Sequence, residues 1–338
     1  MLREAKKRYF ENLNPKKPKE FWRAMKYLKK KGSTIPSLTN STGQTATSGS
    51  DKANMLNEFF SQCFNQSFPP LAKEDEQFIS SSSSEHHCPT HLLCDEDTVL
   101  DLLLSLDTSK VSGSDSISAK MLNTAVSIYQ SVTKIFNQSI SFGEVPCGWK
   151  RSLVVPVPKT SDALQNPNNY RPISPLFILS KVLEKHIYSL IVNHLTEHQL
   201  LSDAQWGFLP GRSTVSALLS TLHQWFKLLE DGKAVCAVFL DFRKAFDSVP
   251  HIPLIEKLQR INLDKHLILW IKSYLSERIQ SVAVDGATSS PRSVISGVPQ
   301  GSVLGPRLFL IYINITTISL SPLSQCVLYE DDVLLYRL

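Results

Sequence analysis

Apolar positions along this 338-residue chain switch repeatedly between helical and extended spacing, and each switch marks an element. Ala53, Leu56, Phe59, Phe60 and Phe64 recur at helical spacing behind Asp51, which can cap a helix there. Val99, Leu100, Leu102, Leu103, Leu104 and Leu106 supply the buried side of a second helix. Its start near Asp95, Glu96 and Asp97 suits acids at a helix N-terminus. A third helix is predicted through Met121, Leu122, Ala125, Val126, Ile128 and Tyr129, and a fourth over 132–139. Residues 149–159, WKRSLVVPVPK, are apolar and β-branched but punctuated by prolines, and read as a strand. The segment NYRPISPLFILSKVLEKHIYSLIVNHL returns to helix, with Ile178, Leu183, Ile187, Leu190, Ile191 and Leu195 on one broad face. Residues 234–241 form a continuous apolar run, the pattern of a buried strand, and helices are predicted over 251–276 and 304–315. The stretch QCVLYEDDVLLY predicts a β-hairpin with an acidic tip.

Between these periodic segments the chain is polar. Residues 33–50 are rich in Ser, Thr and Gly and predict a flexible linker; residues 69–84, with Glu74, Asp75, Glu76 and a serine run, predict a mobile loop. His86, His87, Cys88, His91 and Cys94 have the chemistry of zinc ligands but not a paired-ligand spacing, so they read as a loop running into the helix at Asp95. No apolar run reaches the roughly eighteen residues of a membrane span, the longest being broken by Asn314, Thr316 and Thr317.

Composition narrows the class. At 42% hydrophobic and 20% charged the chain falls in the globular range, with length for about two domains. Six cysteines are too few for a disulfide framework, and no signal peptide precedes them, which predicts a reducing intracellular setting, nucleus or cytoplasm. The net charge of +5 is unevenly spread: residues 1–32 hold twelve Lys or Arg against three acids, so the remainder is mildly acidic. Tyr9, Phe10, Phe21, Trp22 and Tyr27 interleave that basic arm. Such an arm is either a solvated face or a surface for a phosphate backbone and its bases.

Three stretches carry candidate chemistry. In AVCAVFLDFRKAFDSVPH the first charge after the apolar run is Asp241, either a metal ligand or a cap for the following helix; Asp247 has the same ambiguity and a stronger case for a local turn. SGVPQGSVLGP sets Gln300 among Gly297, Gly301 and Gly305, either a plain turn or a backbone that approaches a ligand closely. YEDD places Asp331 and Asp332 side by side beyond Glu330, where like charges repel unless something neutralises them. If the strand of Asp241 lies beside the hairpin, three carboxylates meet, an arrangement suited to two divalent cations about 4 Å apart in phosphoryl transfer.

The order DFRKAFD, GVPQGSVLGP, YEDD resembles the palm motifs of reverse transcriptases, and the whole chain resembles the polymerase region of a non-LTR, LINE-type retrotransposon. DKANMLNEFF, SKVSGSDSIS, NYRPISPLFILSKVLEKHI and QWGFLPGRSTVSAL extend the likeness upstream. The resemblance implies an α+β right-hand polymerase fold: a basic extension over 1–95, fingers over 96–232 and a partial, ferredoxin-like palm over 233–338. It implies that Asp241, Asp331 and Asp332 are catalytic and hold two Mg²⁺ ions, or Mn²⁺, with Asp332 supporting. Phe246 matches the ring that excludes a 2′-hydroxyl, Gln300 a contact to the incoming nucleotide, and Lys159 and Arg171 the basic residues that hold its triphosphate. The implied partners are an RNA template, a DNA primer and deoxynucleoside triphosphates, with no membrane.

Two departures from the family pattern qualify that expectation. Glu330 stands where such hairpins carry a small or apolar residue, and strand alternation predicts that it faces away from the metals. The chain ends at Leu338, soon after YEDD, so the expected architecture is truncated and lacks a thumb. The competing reading is an inactive remnant of a mobile element with at most nucleic-acid binding; an RNA-dependent RNA polymerase is disfavoured by Phe246.

Overall fold

The computed structural model describes residues 35–64, 67–68, 88–109, 112–113, 115–124, 126–159, 164–209, 211–242, 244–314 and 324–337. The basic arm and the segment 69–84 lie outside them. Residues 38–46 are not a flexible linker: β1 (Leu38–Thr39) and β2 (Thr45–Ala46) pair antiparallel. Leu38 is wholly buried, and the Asn40 side-chain carbonyl closes the turn by accepting from the N–H groups of Thr42 and Gln44 at 3.1 and 2.9 Å. In α1 (Gly49–Ser61) the cap is Ser48, whose hydroxyl accepts from the Asp51 N–H at 3.1 Å and donates to the Asp51 carboxylate at 2.6 Å. Asp51 therefore lies inside the first turn instead of before it.

Asp95 does cap α2 (Glu96–Leu104), accepting from the Thr98 N–H at 2.6 Å. Then come α3 (Ala119–Thr124), α4 (Tyr129–Phe142) and β3 (Arg151–Pro158). The segment expected to be helical from its first residue opens instead with β4 (Tyr170–Ile173), antiparallel to β3. Pro172 and Pro175 keep it from the helical state, and α5 (Ile178–Glu197) begins only after them. After α6 (Thr214–Glu230), β5 (Cys236–Asp241) and α7 (Ala245–Ser248), the helix expected over 251–276 is two helices, α8 (His251–Arg260) and α9 (Lys265–Leu275). Asn262 breaks them with a left-handed φ of 54°, and Asp264 caps the second through the His266 N–H at 2.7 Å. The remaining elements are β6 (Arg278–Val284), β7 (Ala287–Thr288), β8 (Arg292–Val294), α10 (Gly305–Ile313), β9 (Ser324–Tyr329) and β10 (Asp332–Arg337).

Two sheets hold the site. One is antiparallel in the order β5-β10-β9; the other runs β4-β3-β6-β7, with β8 also on β6. Its β3 and β6 are parallel, so it draws strands from both sides of residue 232. The class is α+β. The main core joins helices: Val99 and Leu103 of α2, Phe136 of α4, Leu183 and Ile187 of α5, and Trp270 of α9. A second core, around Leu38, Leu56, Val154 and Val282, seats α1 on the larger sheet. Cys88 and Cys94 belong to the main core, and burial pushes the Cys94 thiol up to about 12, away from the thiolate that metal binding needs.

The run ending at Asp241 is not a buried strand. Among the described residues β5 pairs on one side only, with β10, and Phe239 remains 74% exposed. None of the six cysteines forms a disulfide, and no described helix is long and apolar enough to cross a membrane.

Candidate active site

Asp241 closes β5 and Asp332 opens β10, and the antiparallel register sets them directly opposite one another. Residues paired in this way share a face of the sheet. Asp331 occupies the turn before β10, where its backbone carbonyl accepts from the Phe242 N–H at 3.2 Å. The turn pivots on Glu330, which has a left-handed φ of 56°. Gly207 lies against the Glu330 backbone nitrogen so closely that a Cβ there would collide with it. The same QWGF segment anchors the rest of the hairpin. Leu328 donates to the Ala204 carbonyl and accepts from the Trp206 N–H, each at 2.8 Å, and the Thr214 hydroxyl donates to Tyr329 Oη at 2.8 Å.

These acids crowd one another. Burial, then Asp331 and Asp241, raise the Asp332 carboxyl above its ordinary range; burial, then Asp331 and Asp332, raise Glu330. Asp241, Glu330 and Asp331 line one side of a cleft of about 770 Å³ whose walls also carry Lys159, Arg171, Lys244, Phe246 and Gln300. The structure thus brings together every candidate site residue except Asp332, which pairs with Asp241 across β5 and β10 but is not among the residues that line the cleft. Glu330 does not turn away from the cleft but lines it. Its positive φ interrupts the strand alternation that predicts the opposite face.

The donor set is all oxygen with uncompensated repulsion, which a hard divalent cation relieves. Among the described residues no three His, Cys, Asp or Glu side chains converge tightly enough to hold an ion as they stand. The carboxylates therefore fit such an ion in charge and donor type, without forming a finished cage.

Phe246, on α7, stacks on Phe309 of α10 with ring centroids 4.8 Å apart and meets Phe208 edge-on at 6.1 Å. The loop that carries Gln300 is stitched to the same turn. Gly297 donates to the Val249 carbonyl at 2.7 Å, Val298 to Phe246 at 2.8 Å, and the Ser296 hydroxyl to Asp247 at 2.8 Å. A Cβ on Gly297, whose φ is 86°, would meet the carbonyl oxygens of Phe246 and Asp247 at 2.7 Å, so only glycine permits this approach. His251 Nε2 lies 2.8 Å from the Gly297 carbonyl oxygen, and burial holds that imidazole below its ordinary pKa.

Two carboxylates of this region escape a motif reading. Gln300 Nε2 donates to Asp247 Oδ1 at 2.9 Å; burial pushes Asp247 up to about 6, against the opposing effects of that bond, Lys244 and Lys159. Asp247 is thus a half-buried partner of Gln300 and not an ordinary turn residue. Glu184 of α5 is completely buried; it accepts from the Val303 and Leu304 N–H groups at 2.8 and 3.3 Å and from the Ser180 hydroxyl at 3.1 Å. Its position was legible, because 184, 187 and 191 share one apolar helical face.

Carboxylates, cationic side chains and aromatic rings thus line one cleft. Residues 157–337 match the family described as reverse transcriptase (RNA-dependent DNA polymerase). The chain is 33% identical over 217 residues to the probable RNA-directed DNA polymerase from transposon BS of Drosophila melanogaster, covering 63% of this chain and 24% of the relative. It is 28% identical over 296 residues to the RNA-directed DNA polymerase from mobile element jockey of the same organism, covering 86% and 32%. The chain thus spans about a quarter to a third of the length of these curated relatives. It belongs to the reverse transcriptase family, in its non-LTR, LINE-type branch. An apo telomerase structure from Candida tropicalis overlaps 67% of this chain and 52% of its own at 14% identity and a TM-score of 0.41.

Proposed function

We propose that this region copies RNA into DNA. The primer 3′-hydroxyl gives its proton to solvent and attacks the α-phosphate of a deoxynucleoside triphosphate; the new O–P bond forms as the bond to the β-phosphate breaks and pyrophosphate leaves. The observation that carries this reading is the shared cleft, which sets the acids Asp241 and Asp331 among Lys159, Arg171, Phe246 and Gln300.

Each residue has a role there. Lys159 and Arg171 draw the triphosphate into the cleft, Arg171 through a two-pronged guanidinium. Phe246 is held by its stacking on Phe309 and blocks a ribose 2′-hydroxyl by its bulk. Gln300 contacts the bound nucleotide. Asp241 and Asp331 are the principal holders of Mg²⁺, or Mn²⁺, with Asp332 supporting. When bound, such ions supply Lewis-acid activation of the attacking oxygen and neutralise the charge on the leaving group. The protein's own share is orientation of primer and nucleotide, which is where much of the rate in such a transfer originates.

In this reading the β5-β10-β9 sheet, which α6 meets through Trp225 edge-on to Tyr336 at 5.8 Å, is palm, within 233–338, while the β3–β4 hairpin and the helices of 96–232 are fingers. The basic extension within 1–95 tracks the phosphate backbone of template or primer.

Primer extension on an RNA template with Mg²⁺ or Mn²⁺ tests the proposal, comparing the chain with Asp331→Ala and Asp332→Ala. Extension that depends on added RNA and deoxynucleotides, lost in Asp331→Ala and weakened in Asp332→Ala, is expected. A folded chain that binds primer–template but extends nothing would overturn it in favour of a nucleic-acid-binding remnant.

A further inference from the structure

Gln300 does not reach the nucleotide cleft as a free side chain. Its Nε2 is committed to Asp247 Oδ1 at 2.9 Å, and among the described residues nothing donates to its Oε1. Gln300 and Asp247 form part of the wall between the nucleotide cleft and a second, smaller cavity of about 40 Å³, and both residues line both spaces. An ionised carboxylate only accepts hydrogen bonds, so it can engage the amide solely through the nitrogen. A protonated carboxyl also donates, and can then bind the amide through its oxygen.

We propose that Asp247 is a positioning residue that decides which end of the Gln300 amide faces the incoming nucleotide. Ionised, it takes the nitrogen and leaves the oxygen as an acceptor for a hydroxyl or amine of the substrate. Protonated, it releases the nitrogen, and the amide turns over to offer a donor to the same place. This deepens the assignment of Gln300 as a nucleotide contact and rests on that reading.

The surroundings favour a carboxyl that changes state near neutrality. Asp247 is half-buried, and the desolvation this brings works against its charge, whereas Lys244, on its own turn, and Lys159, at the end of β3, work in favour of it. Arg278 of β6 lines the smaller cavity with it, Cys63 stands beyond the end of α1 on the cleft wall, and His251 of α8 packs on the Gly297 carbonyl, with burial holding its imidazole below the ordinary pKa. Desolvation pushes the carboxyl up to about 6, which brings its protonation within a modest fall from neutral pH. The backbone cannot follow the side chain: the Gln300 carbonyl accepts from the Ser174 N–H at 3.1 Å, and Gly297 is locked between Phe246 and Val249. The movement is confined to the amide.

The test is the side-chain amide resonance of Gln300 in the full chain labelled with ¹⁵N-glutamine, assigned by its disappearance in Gln300→Leu and followed from pH 5 to 8. A shift with a midpoint near 6, absent from Asp247→Asn, is expected. In parallel, KM for deoxynucleotide in primer extension should rise severalfold below that midpoint in the parent chain relative to Asp247→Asn, with kcat less affected. A Gln300 resonance that does not titrate would overturn the inference whether or not the chain polymerises. Absence of any synthesis beside a titrating resonance would instead count against the polymerase reading and leave the Asp247–Gln300 coupling supported.

Discussion

The Glu184 carboxylate, with no exposed surface, accepts the Val303 N–H at 2.8 Å and so ties α5 to the first residues of α10, just beyond Gln300. This is a helix-start contact made by a distant side chain, in a place where Leu304 itself offers no capping group. Replacing Glu184 with Ala should cost about 2–4 kcal/mol, since it orphans two buried N–H groups and a hydroxyl. Glu184→Gln keeps an acceptor, and because burial raises the Glu184 carboxyl it should cost much less. Denaturant titration of the two variants checks the difference, and nucleotide KM should rise in the alanine variant as the Gln300 loop loosens.

Asp247 gives stability a pH dependence of definite sign. Its carboxyl titrates at about 6 in the fold against an ordinary 3.8. Between those values the folded chain retains a proton that the unfolded chain has released, so stability falls as pH rises through that window. The loss is on the order of 2–3 kcal/mol. Asp247→Asn should flatten this decline and melt higher than the parent at pH 7.5, a gain in stability at the expense of nucleotide handling. Melting curves from pH 4 to 8 measure it.

Phe246 is wedged between Phe208 and Phe309. Trimming it to Val should open space beside the sugar and relax discrimination against ribonucleotides by about 10- to 200-fold, the range for small steric changes in an apolar pocket. The same change removes ring contacts and should destabilise the fold by about 1–3 kcal/mol. Competing dNTP and rNTP incorporation on one template gives the first quantity, and calorimetry the second.

Asp241 and Asp332 face each other across β5 and β10, and their repulsion is part of what raises Asp332. Asp241→Asn should reduce synthesis on the order of a thousandfold, the scale of several kcal/mol of lost charge stabilisation. It should also raise the melting temperature at neutral pH in low salt without divalent ions, because one of the crowded charges is gone. The rise should shrink as salt screens the cluster. Opposite movements of activity and Tm would separate a functional acid from a structural one.

The parts of this chain legible from sequence were those with a local signature. Two apolar runs flanking three acids predict the β9–β10 hairpin, an apolar run ending in Asp241 predicts β5, and Asp95 is a recognisable cap. Long-range pairing leaves no such mark. Nothing in RSLVV announces that β3 lies parallel to β6, and nothing in DSVPH announces that Asp247 accepts from Gln300. Ser/Thr-rich composition hid a hairpin whose strands are two residues each, held by Asn40 and Leu38. The QWGF segment matched a family pattern, but its work of seating Glu330 over Gly207 needed three dimensions.

The parallel pairing of β3 with β6 sets Arg151 opposite Ile279, about 130 residues downstream. On a ribosome adding about 5–20 residues per second, β3 emerges roughly 6–25 seconds before its neighbour exists. During that interval it has β4 on one edge and an open row of backbone groups on the other, a template for the wrong strand. Pro156 and Pro158, which lack an N–H, shorten the length of that edge able to recruit one. The prolines that punctuate β3 thus guard a nascent chain during the wait for its partner.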